Sequence, residues 1–210
     1  METIVLSLME KSTQELIQES LLKSISYPKY LSLVAELADK GKSTGPEQTE
    51  AMANYTKLND RRMKRWDKTL RFNEEVVRQI LKVNRKITWL VITESWCGDA
   101  SPSLPVMHKI TELNSNISLK IVLRDENVDL MNRFLTDNGM SIPKLIAIDD
   151  LTLEVLGDWG PRSEAATKLV EDYKAEHGQL SAELKQDLQV WYNKDKGQSV
   201  LKDLTSLLLK

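Results

Sequence analysis

The chain has 210 residues, 29% charged and 41% hydrophobic, with 29 Lys+Arg against 31 Asp+Glu and a net charge of −2. That length holds one core and an annex, and the even charge selects neither nucleic acid nor an acidic surface as a partner. A single cysteine, Cys97, excludes an intrachain disulfide, a Cys-x-x-Cys pair and a cysteine-built zinc cage, and with only His108 and His177 beside it no metal site is expected.

The opening METIVLSLMEKS has a short apolar run but no basic segment before it and no small-residue cleavage site, so it does not read as a signal peptide. No apolar run approaches the ~20 residues that cross a bilayer. The expected location is cytoplasmic, with no membrane partner.

Ser12 followed by Glu15 is a capping-box pattern and predicts a helix through Leu16, Ile17, Leu21 and Ile25, ended or kinked at Tyr27-Pro28. A second helical period, Tyr30, Leu33, Val34 and Leu37, stops at Asp39-Lys40-Gly41. The polar loop GKSTGPEQ follows, with Pro46 suited to a first helical turn. A long helix is predicted from about Glu47 to Leu70, with Met52, Tyr55, Met63, Trp66 and Leu70 near one face. Its other faces carry Lys57, Arg61, Arg62, Lys64, Arg65, Lys68 and Arg71; cations spread around an apolar stripe read as a solvated face, not as a nucleic-acid surface. Asn73 then caps a helix through Val76, Val77, Ile80 and Leu81.

After residue 84 the period changes. Ile87 to Thr93 is a continuous β-rich apolar run, the pattern of a strand buried on both faces. A helix is expected from Ser101 to about Asn114, a strand from Ile117 to Leu123, a short helix from Val128 to Leu135 capped near Asn127, and a turn at Asp137-Asn138-Gly139. The segment SIPKLIAIDDLTLEVLGDWG predicts a hairpin with strands Lys144 to Ile148 and Thr152 to Leu156. Ser163 starts a helix with Ala166, Leu169, Val170 and Tyr173 inward, stopped at His177-Gly178. Two more helices follow, one presenting Leu180, Leu184, Leu188 and Trp191, the other Val200, Leu201, Leu204, Leu207 and Leu208.

The fold class is therefore α/β, a mixed sheet of about four strands flanked by helices. Its two βα units force parallel strands with right-handed crossovers, and the hairpin adds antiparallel ones. The expected organisation is a helical N-terminal extension over 1–84, an α/β domain over 85–178, and C-terminal helices over 179–210 that pack on the core.

Cys97 falls where the first strand hands over to a helix N-terminus, a place where backbone N–H groups and the helix dipole stabilise a thiolate. Asp99 opposes this, because a nearby carboxylate disfavours the thiolate. The plainer reading is a buried cysteine acting as a small hydrophobe. His108 lies three helical turns beyond Cys97, too far to serve it as a base, and reads as surface or packing.

The order β-α-β-α-β-β-α, with Trp96-Cys97-Gly98-Asp99-Ala100 after the first strand, Ser141-Ile142-Pro143 before the third and Gly160 after the fourth, resembles the thioredoxin fold family over roughly Ile87 to Gly178. With the helical N-terminal extension and Trp159-Gly160-Pro161-Arg162, the wider pattern is similar to a bacterial group of thioredoxin-like proteins. The resemblance implies that Cys97 is the nucleophilic thiol, Trp96 its flanking aromatic, and Gly98 and Asp99 its neighbours at the substrate. It implies that Pro143 is a cis-proline and that the backbone at Ile142 pairs with an extended substrate, with Gly160 a further wall. Arg124, after the second strand, and Arg162 lie at the same sheet edge and are candidates to face the thiolate or a substrate carboxylate.

Two departures from that family narrow the chemistry. Ala100 stands where dithiol members carry the resolving cysteine, and Val91 stands where they carry a buried acid. The expected function is single-thiol exchange at Cys97 with a protein or low-molecular-weight thiol or disulfide, resolved by an external thiol and needing no bound cofactor. That reading expects a depressed Cys97 pKa. The alternative is a non-catalytic binding module that grips an extended peptide while Cys97 is idle; an iron–sulfur carrier is disfavoured because no second ligand is visible.

Overall fold

The structure is a computed structural model that describes residues 10–209; METIVLSLM, most of the stretch read for a signal peptide, lies outside the described residues. Its centre is a four-stranded sheet in the order β2-β1-β3-β4. Strand β1 (Ile87–Thr93) is buried along its whole length, pairs parallel with β2 (Ile117–Leu123) and antiparallel with β3 (Lys144–Asp149). Burial of both faces is why the run is continuously apolar: a central strand with no solvent side has nothing to alternate with. Strand β4 (Val155–Trp159) closes the hairpin antiparallel to β3, with a register shift between Ala147 and Ile148.

The N-terminal helices form where their caps predict. Helix α1 (Thr13–Lys23) starts behind Ser12, whose hydroxyl accepts from the Glu15 amide while the Glu15 carboxylate accepts from the Ser12 amide. It ends at Lys23, earlier than the periodicity suggests, because Ile25 leaves the helix to exchange both backbone hydrogen bonds with Ile121 at 2.9 Å. That bridge covers part of the otherwise open edge of β2. Tyr27-Pro28 does not end a helix; it begins α2 (Tyr27–Asp39), with Pro28 in the first turn, where a missing N–H costs nothing.

Helix α3 (Glu50–Thr69) is capped by Thr49, so Pro46 stays in the loop ahead of it. Its buried face runs through Thr56, Asn59, Met63 and Trp66, not through Met52 and Tyr55. Two polar residues replace apolar ones on that face because they meet the cysteine loop. Helix α4 (Glu74–Leu81) follows its Asn73 cap.

Helix α5 (Ala100–Leu113) follows β1 and lies almost entirely in the core over its first two turns. After β2 come a 3₁₀ turn at Arg124–Glu126 and α6 (Val128–Met131), which stops short of Leu135. Asp137 and Asn138 both adopt positive φ in the turn closed by Thr136 and Gly139, a conformation these residue types tolerate.

The fourth strand begins at Val155, not Thr152. The carboxylate of Asp149 accepts from the amides of Leu151 and Thr152 at 2.9 Å each, and the Leu153 amide returns to the Asp149 carbonyl at 2.9 Å. This side-chain-mediated turn consumes the residues that alternation assigns to the strand.

Helix α7 (Glu164–His177) is capped by Ser163 and stopped by Gly178; it buries Ala166 and Val170, while Leu169 remains exposed. Helices α8 (Ala182–Asp195) and α9 (Gln198–Leu208) are separated by a left-handed break at Lys196-Gly197. Leu188 and Tyr192 bury α8, Val200, Leu201 and Leu204 bury α9, and Leu180 is exposed. Among the described residues no helix is long and apolar enough to cross a membrane.

Candidate functional site

At the C-terminal end of β1 the chain turns through Glu94, Ser95 and Trp96 to Cys97, and α5 begins at Ala100 with Asp99 in the capping position. Asp99 does not cap. Its carboxylate accepts from the Tyr192 hydroxyl at 2.9 Å and pairs with Arg162 at 2.7 Å. The helix start is thus tied to α8 on one side and to the segment after β4 on the other.

Cys97 is only 6% exposed, and its thiol donates to the Ile142 carbonyl at 3.1 Å. The Ile142-Pro143 peptide is cis, and the amides of Asp99 and Ala100 donate toward the sulfur. Those amides and Arg162 favour the thiolate, but burial and then the Asp99 carboxylate outweigh them, and the thiol is pushed up to about 12. The activation expected of a helix N-terminus is therefore reversed, because a dipole that falls off within one turn does not compensate for removing a sulfur anion from water. Ala100 fills the first helical position with a buried methyl group and no second sulfur.

Gly160 abuts the proline loop. At φ +119° it has a conformation that L side chains rarely adopt, and a Cβ there would lie 2.1 Å from the Pro143 carbonyl oxygen. Its role is close backbone approach, which only glycine permits.

The two arginines singled out from sequence both reach the site. Arg124 places its guanidinium 4.9 Å from the centre of the Trp96 ring and pairs with Asp125 at 2.8 Å. Arg162 lies against Asp99, and its Nε is buried without a hydrogen-bond partner. Neither touches the sulfur through a hydrogen bond, so the expectation that they face the thiolate holds only for the Coulombic influence of Arg162.

Above Cys97 opens a cleft of about 820 Å³. Trp96, Cys97, Gly98, Asp99, Arg124, Ile142 and Arg162 line it, and Gly160, one residue before the lining Pro161, stays behind the wall. Two walls come from outside the βα core: Asn54, Tyr55, Leu58 and Arg62 on α3, and Lys185, Gln186, Leu188 and Gln189 on α8. Gln189 donates to the Gly98 carbonyl at 3.3 Å, fixing α8 across the start of α5.

The same loop is held from behind. Asn59 donates through one amide nitrogen to the carbonyls of Ser95 at 2.9 Å and Cys97 at 3.0 Å. Ser95 and Thr44 exchange bonds, the Ser95 amide to the Thr44 hydroxyl at 2.8 Å and the Thr44 amide to the Ser95 hydroxyl at 2.9 Å. Glu94, fully buried, accepts from the Thr44 hydroxyl and from the Asp125 amide, and burial raises its carboxyl pKa.

The family model for thioredoxin matches residues 45–174. The chain belongs to the thioredoxin family. The match begins inside the helical stretch ahead of the sheet, so α3 and α4 are part of what the family model describes. A crystal structure of a protein of unknown function, PA1234 from Pseudomonas aeruginosa, is similar at 19% identity and a TM-score of 0.56, covering 88% of this chain and 97% of that one. An HIV epitope-scaffold is similar at 18% identity and a TM-score of 0.54, covering 88% of this chain and 98% of that one. No curated protein matches.

Sequence reasoning missed the wall residues Arg62 on α3 and Gln189 on α8, and the buried residues that hold the cysteine loop, Asn59 on α3, Tyr192 on α8, and Glu94. One signal was present. Thr56 and Asn59 interrupt the apolar stripe of α3 with buried polar groups, and such groups need nearby partners. Among the described residues no cluster of three or more His, Cys, Asp or Glu side chains is arranged to hold a metal, and His108 packs against Tyr27 with tilted rings whose centres are 4.4 Å apart, away from the cleft.

Proposed function

We propose that this thioredoxin-family chain works as a binding protein that takes a ligand into the cleft over Cys97 with the thiol protonated at rest. The observation that carries this reading is the buried Cys97 thiol, hydrogen-bonded to the Ile142 carbonyl on the floor of an open cleft, where burial and the Asp99 carboxylate raise its pKa. Exchange requires thiolate. With the thiol pushed up to about 12, the anion near pH 7.5 is roughly one part in 10⁴ to 10⁵. In this reading Trp96, Gly98, Asp99, Ile142, Arg124 and Arg162 contact the ligand, and Cys97 and Pro143 shape the floor.

Single-thiol exchange is the second reading, favoured by the position of the sulfur between the proline loop and the first amides of α5. In that chemistry Cys97 sulfur would bond to one sulfur of a bound disulfide as the disulfide bond breaks. The departing thiolate would take up the proton that Cys97 releases. An external thiolate would then attack the mixed disulfide and free Cys97, since Ala100 supplies no internal one.

One experiment separates the two. The reduced protein is held with oxidised glutathione at pH 7.5, beside a short cysteine peptide, and intact mass is followed. The binding reading expects the peptide to be converted while the protein remains almost unmodified; rapid, quantitative addition at Cys97 would replace it with the exchange reading.

A further inference from the structure

The chain as a whole carries a net charge of −2, yet the cleft is lined by Arg62, Arg124, Arg162 and Lys185 against a single carboxylate, Asp99. Only one of those cations is neutralised inside the cleft, since Arg162 takes Asp99 and Arg124 takes Asp125, which is outside the lining. Arg62 is the most telling. It is half-buried on the α3 wall, burial lowers its pKa, and its one hydrogen bond among the described residues goes to the neutral Asn59 oxygen at 3.2 Å. A partly desolvated guanidinium without a carboxylate is a costly arrangement unless an anion completes it. A second unpaired donor, the buried Nε of Arg162, belongs to another wall of the same cleft.

We propose that the cleft binds a compact carboxylate-bearing ligand, with Arg62, Arg124 and Arg162 as its cationic contacts and Trp96 as its flat apolar one. This rests on the binding reading above and adds to it the ligand class. About 820 Å³ is the size of a small-molecule site. The crossing of α8 over Gly98 gives the site a wall on that side instead of an open run for an extended chain. Guanidinium groups from three separate elements present forked donors that match carboxylates bidentately. Arg62 is further linked through Asn59 to the Cys97 carbonyl, so a ligand that orders Arg62 also steadies the cysteine loop.

The test uses S-methylglutathione, a dicarboxylate whose blocked sulfur cannot exchange, and its dimethyl ester, which carries no carboxylate, each titrated calorimetrically into the full chain. The expected result is binding of the diacid with a Kd below about 1 mM, weakened by added salt, with the diester at least tenfold weaker. Arg62→Gln and Arg124→Gln each weaken diacid binding about tenfold. Lys57→Gln, exposed on the same helix outside the cleft, leaves it unchanged. Equal binding of diacid and diester overturns the carboxylate class while the binding reading stands. Absence of diacid binding at about 10 mM, or indifference to both arginine changes in variants with wild-type circular dichroism, overturns the inference outright, and the glutathione mass experiment still judges the binding reading separately.

Discussion

The floor of the cleft and its walls are built from different stretches of the chain and hold opposite electrical characters. The floor belongs to the βα core: Cys97 and Ala100 are buried, the thiol pKa is raised, and the charge that raises it most is the Asp99 carboxylate. The walls come largely from the helices on either side of that core in sequence, and they bring Arg62 and Lys185 to join Arg124 and Arg162. In this chain α3 and α8 supply half of the cleft's cations. The core supplies shape and a quiet sulfur.

The sharpest way to break the floor is at Gly160. A Cβ placed 2.1 Å from the Pro143 oxygen forces the proline loop away from the sulfur, and Gly160→Ala is expected to cost about 3 kcal/mol or more, read from urea unfolding. Wild-type stability in that variant would remove the close approach from the account.

Next comes the pH dependence that a neutral buried thiol imposes. The folded pKa, about 12, lies above the unfolded value near 8.5. Below pH ~8.5 both states hold the proton and Cys97 adds no pH dependence. Above it only the unfolded chain releases the proton, so stability falls as pH rises, by up to about 1.4 kcal/mol per pH unit until the folded thiol itself titrates. The difference in urea midpoint between the wild type and Cys97→Ala should therefore shift against the wild type from pH 8.5 upward; a pH-independent difference would show that the thiol is not held neutral.

The join between wall and floor is tested at Asn59, whose removal leaves the buried carbonyls of Ser95 and Cys97 without their donor. Asn59→Ala is expected to cost about 1–3 kcal/mol and to weaken ligand binding together with stability. A smaller effect belongs to Asp99→Asn. It keeps the shape, removes the carboxylate that raises the thiol pKa and leaves Arg162 unopposed, so the Cys97 pKa should fall and alkylation near pH 7.5 quicken severalfold.

Much of this was legible in the residues and some was not, for physical reasons. The buried strand Ile87–Thr93, the caps at Ser12, Asn73 and Ser163, and the family resemblance through Trp96-Cys97 and Ile142-Pro143 follow from local pattern, and local pattern survives folding. The start of β4 did not, because the Asp149 side chain organises a turn that alternation does not encode. Ile25 left its helix for a β-bridge to Ile121, a contact between residues far apart in sequence. The largest miss was the state of Cys97. Its helix N-terminus is visible in sequence and favours thiolate, whereas the burial that reverses the balance is assembled by α3, α8 and the proline loop together. Arg62 reads from the sequence as one cation of a solvated helix face for the same reason: the α8 wall of its cleft lies more than a hundred residues further along the chain.

Whether Cys97 rests as a thiol is read from the rate of its alkylation by iodoacetamide as a function of pH. The expected rate near pH 7.5 is about three orders of magnitude below that of free cysteine, rising with pH without a plateau below about pH 11. A rate equal to or above that of free cysteine, levelling off at or below pH 8.5, would contradict it and return the site to exchange chemistry.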